Sequence, residues 1–257
     1  MTKKAYHLNL QKDQVKNSKI ALLPGDPFRV LKIAEKIRKQ LGGNIEELAW
    51  KREFKTIRCS INKKSLLVTS TGIGGPSTSI VIEELAMLGV QTFIRVGTAG
   101  AIQKRIQTGD VIITTGSVRL DGASTHYAPI EYPAVADYEV VDSLIKAARK
   151  SNIRFHAGIT ASSDTFYPGQ ERYDSFTGYV PRRFQGSMKE WQRLHVLNYE
   201  MESSTVLTLC STMGLRGGCV CGVIVNRTAK ENITEKDLKT GEENAIKVAV
   251  ASLEYLL

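Results

Sequence analysis

Apolar and polar positions along this chain switch repeatedly between two periods. Ile20-Ala21-Leu22-Leu23 is a short, wholly apolar run that stops at Pro24-Gly25-Asp26-Pro27. Val30, Ile33, Ala34 and Ile37 then recur at the spacing of one helix face, so the segment reads as strand, tight loop, helix. Phe54–Ile61 and Ser65–Thr69 are separated by Asn62-Lys63-Lys64, which predicts a hairpin. The second of these strands runs into Ser70-Thr71-Gly72-Ile73-Gly74-Gly75-Pro76, and Ser79–Leu88 has helical spacing. Thr92–Val96 reads as a short strand that stops at Gly97-Thr98-Ala99-Gly100. The pattern then predicts strands over Val111–Val118, Phe155–Ser162 and Cys219–Val225, the last of them central. Helices are expected over Val140–Lys150, Met201–Met213 and Ala245–Leu257.

Strands that are apolar almost throughout imply a sheet buried on both faces. The alternation of strands and helices therefore predicts an α/β fold, a three-layer α/β/α sandwich around a mixed central sheet. No Pro-, Gly- or Ser-rich linker interrupts the sequence, so residues 1–257 are expected to form a single domain.

Composition narrows the function classes. A hydrophobic content of 42% is that of an ordinary folded protein and gives no reason to expect disorder. No apolar run has membrane-spanning length, and Met1–Asn9 is polar where a signal peptide carries an apolar stretch. The expected location is the cytoplasm. Cys59, Cys210, Cys219 and Cys221 fit no zinc spacing, and the apolar run around the last two reads as a place for buried free thiols. The net charge of +9 favours anionic partners. The basic residues are scattered rather than gathered in a stripe with aromatics, which speaks against nucleic acid and leaves a small anion such as phosphate compatible.

Candidate chemistry begins with loops around Gly25, around Gly72, Gly74 and Gly75, and around Gly97 and Gly100, each following a predicted strand end. Glycine lets backbone N–H groups approach an anion without a Cβ in the way. The middle loop departs from the dinucleotide pattern G-x-G-x-x-G. Arg29 follows the first loop. Arg95 lies in an otherwise apolar strand, where a guanidinium needs either a buried acid or a bound anion; Gly97-Thr98 beside it favours phosphate. At Asn198-Tyr199-Glu200-Met201-Glu202, a strand gives way to a helix. Glu200 suits a helix cap. Glu202 could instead accept from vicinal sugar hydroxyls.

The most informative stretch runs from Ala161 to Tyr173 and sets Gln170 and Arg172 just past an aromatic pair and a Pro-Gly turn. An amide offers a donor and an acceptor face, and a guanidinium offers only donors. Together they suit a flat ring edge reading acceptor, donor, acceptor. Uracil has that edge in O2, N3–H and O4; cytosine does not.

With these residues in view, the chain resembles the bacterial uridine phosphorylases of the nucleoside phosphorylase superfamily. The matching motifs are Pro24-Gly25-Asp26-Pro27, Ser70 to Ser79, Gly116 to Ala123, Ala161 to Tyr173, Asn198 to Ser203 and Gly222 to Thr228. The resemblance implies reversible phosphorolysis of uridine in pyrimidine salvage and catabolism, with phosphate as co-substrate and no cofactor required. It implies phosphate held by Gly25, Arg29, Arg95 and Thr98, with Arg52 reaching a neighbouring subunit's site. Ribose would meet Met201 and Glu202, with the neighbour's His7 at the 5′-hydroxyl. Uracil would meet Gln170 and Arg172, with Phe166 at its face and Ile224 and Val225 lining the pocket. Glu53, Ile73 and Ser77 match positions that in some members hold a monovalent cation, potassium, at a dimer interface. The family is typically a hexamer, a trimer of dimers with shared sites.

Two departures stand out. Ala99 removes a hydroxyl where family members often read Gly-Thr-Thr-Gly, and Ala229–Thr234 carries Asn232-Ile233 where a proline-containing lid is common. The nearest competing activity is purine phosphorolysis, in which an aspartate after the last central strand protonates the base; here that region reads Asn226-Arg227. A non-catalytic nucleoside binder on the same scaffold is the alternative from another class.

Overall fold

The computed structural model describes residues 4–228, 231 and 233–257. The elements in chain order are β1 (Ile20–Leu23), α1 (Pro27–Leu41), β2 (Asn44–Lys51), β3 (Phe54–Ile61), β4 (Lys64–Thr69) and α2 (Gly75–Met87). They continue with β5 (Thr92–Ala101), β6 (Val111–Leu120), β7 (Ala134–Val135), α3 (Tyr138–Lys150), β8 (Phe155–Ser163) and α4 (Ser187–Arg193). The chain closes with β9 (Asn198–Glu200), α5 (Ser203–Thr212), β10 (Arg216–Asn226) and α6 (Glu235–Leu256).

The fold is mixed α/β, with a central mixed sheet and helices on both faces. Alternation along β1 shows how the layers form. Ile20 and Leu22 pack with Val30, Ile33 and Ile37 of α1, Leu144 of α3 and Val248 of α6. Ala21 and Leu23 face the other way, against Val81, Ile82 and Leu85 of α2 and Val206 and Leu209 of α5. Asp26 starts α1 by accepting from the Phe28 N–H at 2.8 Å, with Pro27 in the first turn.

β10 is central, parallel to β5 and antiparallel to β6. β6 pairs with β8, β8 with β9, and β9 with β5, so these strands close into a ring. From β5 the sheet also runs outward through β1, β4, β3 and β2. β1 covers one edge of β5 only from Thr92 to Arg95, and β9 pairs with it only at Gly100 and Ala101. Between those contacts the two strands part, which is the kind of topological switch point where α/β sheets bind ligands.

Several boundaries differ from the sequence expectation. β5 does not stop at Gly97: Gly97, Thr98, Ala99 and Gly100 continue the strand, in register with Cys221, Gly222, Val223 and Val225. The third glycine loop is therefore a strand, its glycines serving close packing rather than a turn. α2 begins at Gly75, since Pro76 fits a first turn. α5 is shorter than the expected Met201–Met213 helix. α6 begins at Glu235, before the expected Ala245, because Thr234 and Asp237 form a reciprocal capping box and the early turns are largely polar. β2 has no clear sequence signature because it is an edge strand without a buried face. No helix among the described residues is long and apolar enough to cross a membrane.

Candidate functional site

A cavity of about 740 Å³ lies where β1 and β9 diverge along β5, a volume suited to a small ligand. Three groups of expected residues line it. Gly25, Arg29, Arg95 and Thr98 come from the ends of β1 and β5. Met201 and Glu202 come from the turn between β9 and α5. Phe166, Gln170, Arg172, Ile224 and Val225 form the third wall. The Gly25 and Gly72 loops are joined by the Gly72 N–H donating to the Gly25 carbonyl at 3.0 Å. A Cβ at Gly25 would stand 3.1 Å from the Gly72 carbonyl oxygen, so the contact favours glycine.

Arg95 is the electrostatic centre. Its Nε donates to Glu200 Oε2 at 2.7 Å and its Nη2 lies 2.5 Å from Glu202 Oε2. The alternative weighed for this arginine, a buried ion pair, is thus what the structure contains, though the guanidinium still borders the cavity. Gly97 makes room for it: a Cβ there would meet Arg95 Nη2 at 2.7 Å. Glu200 caps α5 as expected, accepting from the Glu202 N–H at 2.9 Å and the Ser203 N–H at 3.0 Å. Burial pushes the Glu200 carboxyl up, but Arg95 and these donors outweigh it and hold it below its ordinary value. Glu202 goes the other way: burial, reinforced by the neighbouring Glu200 charge, raises it despite Arg95. Its Oε1 accepts from the Gly74 N–H at 2.6 Å.

Arg29 is also tied to an acid. Its Nη2 is 3.1 Å from Glu242 Oε2, and Lys32 Nζ is 2.7 Å from Glu242 Oε1. Burial raises the Glu242 carboxyl, and the two cations more than offset it, so it lies below its ordinary value. Arg29, Lys32 and Arg95 are therefore balanced one for one by Glu200, Glu202 and Glu242.

A left-handed Glu171 (φ 53°) separates Gln170 from Arg172. The Glu171 carboxylate accepts from the Met188 N–H at 2.7 Å and pins the turn to α4. Gln170 is 4% exposed, and its side-chain amide has no hydrogen-bond partner among the described residues. Arg172 lies with its guanidinium carbon 4.2 Å from the Phe166 ring centroid. Its Nη1 is 2.5 Å from Glu231 Oε2, and Arg227 Nε is 2.7 Å from Glu231 Oε1.

The cavity does not include His7 or Arg52. His7 Nδ1 is 2.7 Å from Glu84 Oε1, and that oxygen also accepts from the His7 N–H at 2.9 Å. Burial raises the Glu84 carboxyl, but the His7 and Leu8 amides and the His7 ring bring it below its ordinary value. Arg52 is exposed in the β2–β3 turn at φ 55°. The segments that carry them are joined by Lys51 Nζ, which donates to the Tyr6 carbonyl at 2.6 Å. Around them Tyr6, Phe28, Trp50 and Ile73 expose large apolar side chains. Glu53, Ile73 and Ser77 line the cavity, with Ser77 Oγ 3.4 Å from Glu53 Oε1.

All four cysteines are free and buried. Cys219 and Cys221 lie beneath Arg95 with sulfurs 3.7 Å apart. With Glu200 they have metal-like spacing, yet the Glu200 oxygens are already committed to Arg95, Ser203 and the α5 cap. Of the anticipated lid, Ala229, Lys230 and Asn232 lie outside the described residues; Ile233 lines the cavity. Ala99 is a buried lining residue. Sequence reasoning missed Glu231, Glu242 and Glu84. The i, i+4 spacing of Arg227 and Glu231 was a signal for the first; for Glu242, the helix was begun too late.

A family model described as Phosphorylase superfamily matches residues 19–256. The uridine phosphorylase of Escherichia coli is 54% identical over 252 residues, covering 98% of each chain. That of Haemophilus influenzae is 55% identical over 252 residues, again covering 98% of each. The guanosine phosphorylase of Halorubrum lacusprofundi is 34% identical over 258 residues, covering 97% of this chain and 98% of its own.

Proposed function

The chain belongs to the Phosphorylase superfamily, and on that premise we propose that it is an enzyme, a glycosyltransferase converting uridine and phosphate reversibly to uracil and α-D-ribose 1-phosphate. The observation that carries the choice of base is the Gln170 amide, which has no hydrogen-bond partner among the described residues and lines the same cavity as Arg172, Arg29 and Arg95. The full-length likeness to proteins named uridine phosphorylase agrees with it.

Phosphate lies against the Gly25 backbone, Arg29, Arg95 and Thr98 and attacks C1′ as the bond to uracil N1 breaks. The electron pair of that bond leaves on the base and spreads onto O2 and O4, where Gln170 and Arg172 donate to it; the proton carried by phosphate ends on uracil. Donors aimed at charge that develops only in the transition state raise kcat. Arg172 acts electrostatically, since a guanidinium does not release a proton near neutral pH. Glu202 and Met201 grip the ribose, Phe166 covers the base, and Ile224 and Val225 give the apolar wall. Bound phosphate faces the oxocarbenium-like C1′ and stabilises it.

Among the described residues, Arg29, Lys32 and Arg95 are balanced one for one by acids, so a dianion beside them calls for added positive charge. Arg52 of a neighbouring subunit supplies it, and the same neighbour's His7 reaches the 5′-hydroxyl. The exposed apolar side chains around these residues suit burial against a second copy. The assembly is a hexamer, a trimer of dimers, and Glu53, Ile73 and Ser77 would be the residues to hold a potassium ion, the Glu53 carboxylate supplying the charge. No other cofactor takes part. The enzyme works in the cytoplasm, in pyrimidine nucleoside salvage and catabolism.

Purine phosphorolysis is the competing activity. Asn226 stands where an acid would be needed, and its amide donates to the Gln103 and Ile106 carbonyls at 3.0 and 2.6 Å. The carboxyl that contacts Arg172, Glu231, is raised by burial, but its two arginines outweigh this and hold it below its ordinary value, which makes it a poor proton donor. A panel of uridine, thymidine, cytidine and inosine with and without phosphate tests the reading: uridine is consumed only with phosphate. Preferential consumption of inosine, or no phosphate dependence, refutes it.

A further inference from the structure

Arg172 in the cavity wall is linked through Glu231 to a second arginine, Arg227. Both arginines are 7% exposed, so each guanidinium has lost most of its water. A single carboxylate joins them, one oxygen on each. Two buried like charges held this close repel unless an acid stands between them. The Arg227 guanidinium lies 5.3 Å from the Tyr199 ring centroid, and that of Arg172 lies over Phe166. Arg227 is therefore backed by one ring and Arg172 by another, and Glu231 sets the distance between them.

We propose that Glu231 is a positioning residue for the base: bridging Arg227 to Arg172, it fixes the Arg172 guanidinium so that its remaining N–H groups meet the uracil carbonyl oxygen beside Gln170. This rests on the reading of the site as a uridine phosphorolysis centre. The carboxylate acts at one remove from the substrate. Without it, Arg172 keeps its charge but loses its fixed direction and feels Arg227 unshielded. Misdirection of a donor reduces the stabilisation of the departing base more than it weakens binding of the neutral nucleoside.

The test compares the unmodified protein with Glu231→Gln and Glu231→Asp, using uridine and 5-fluorouridine with saturating phosphate. Glu231→Gln is expected to lower kcat for uridine about tenfold to a hundredfold, the scale of a displaced transition-state donor, with little change in the KM for phosphate; the unfolding midpoint falls as well, because two buried arginines lose the charge between them. Glu231→Asp recovers part of the loss. The deficit is smaller with 5-fluorouridine, whose base leaves more readily and depends less on Arg172; a general structural defect would lower both substrates alike. In an Arg172→Ala background, followed with 5-fluorouridine, Glu231→Gln adds little further loss. Turnover by the unmodified protein with an unchanged Glu231→Gln variant, equal deficits on the two substrates, or additive losses overturn the inference alone. No phosphate-dependent turnover of uridine by the unmodified protein overturns the functional reading and this inference with it.

Discussion

Replacing Arg95 by methionine probes the site and the fold together. Arg95 is 6% exposed inside a strand paired on both edges, and its guanidinium is shared by Glu200 and Glu202. Methionine fills much of the same space but leaves two buried carboxylates facing each other with no cation between them. Breaking a buried pair from one side costs about 3–5 kcal/mol, because the remaining charge stays desolvated. For a chain of this length about 1 kcal/mol moves the thermal midpoint by roughly 2–4 °C, so the variant should melt about 6–20 °C lower. The deficit should shrink as the pH falls toward the carboxylate range, since each orphaned acid can then take a proton. Adding Glu202→Gln to Arg95→Met should restore part of the stability, because one of the two stranded charges is removed. The assay is urea unfolding followed by tryptophan fluorescence, at neutral and mildly acidic pH, with and without phosphate. Phosphate at a hundred times its Kd should add about 2.7 kcal/mol to the parent protein and much less to the variant. A loss below about 1 kcal/mol, the scale of an exposed pair, or a loss independent of pH, would refute the picture of a desolvated triad.

Glu202→Gln alone should lower kcat/KM for uridine while leaving stability unchanged or higher at neutral pH. Its folded-state pKa is raised, so the folded form holds more protons than the unfolded one and the parent loses stability as pH rises from the ordinary carboxylate range to that raised value; a variant markedly less stable than the parent at neutral pH counts against this. Arg172→Ala should cut kcat/KM for uridine on the order of a hundredfold, as expected for loss of a transition-state donor; a change confined to KM would mean the arginine binds without assisting departure. Arg52→Ala should raise the KM for phosphate without shifting the unfolding midpoint, and subunits mixed from Arg52→Ala and Arg172→Ala preparations should recover activity. Fully active monomers would end the shared-site account.

Much of this architecture was legible because burial writes itself into the sequence at period two or near period four. The apolar run at Ile20–Leu23 and the Val30, Ile33, Ala34, Ile37 face announce β1 and α1. Where burial is partial the signal fades. β2 is an edge strand, and the first turns of α6 face solvent, so neither carries a clean stripe. Gly97 and Gly100 look like a turn in one dimension; in three they are strand positions kept small beside Arg95 and Arg227. Candidate cavity residues from Gly25 to Val225 were likewise legible as motifs, and the structure gathers them in one cavity. Their ionic partners were not. Glu242 meets Arg29, and Glu200 meets Arg95, across separations of more than a hundred residues, which no local pattern encodes. For Arg95 the local Gly97-Thr98 signal points to phosphate, and the two distant carboxylates that also hold it have no local signature.

The central claim is that phosphate, not water, accepts the ribose. The direct measurement is turnover of uridine in oxygen-18-labelled water with unlabelled phosphate, with the sugar product examined by mass spectrometry. Phosphorolysis predicts ribose 1-phosphate without label at C1, formed mole for mole with uracil and only when phosphate is present. Free ribose carrying oxygen-18 at C1, released equally well in phosphate-free buffer, would contradict it.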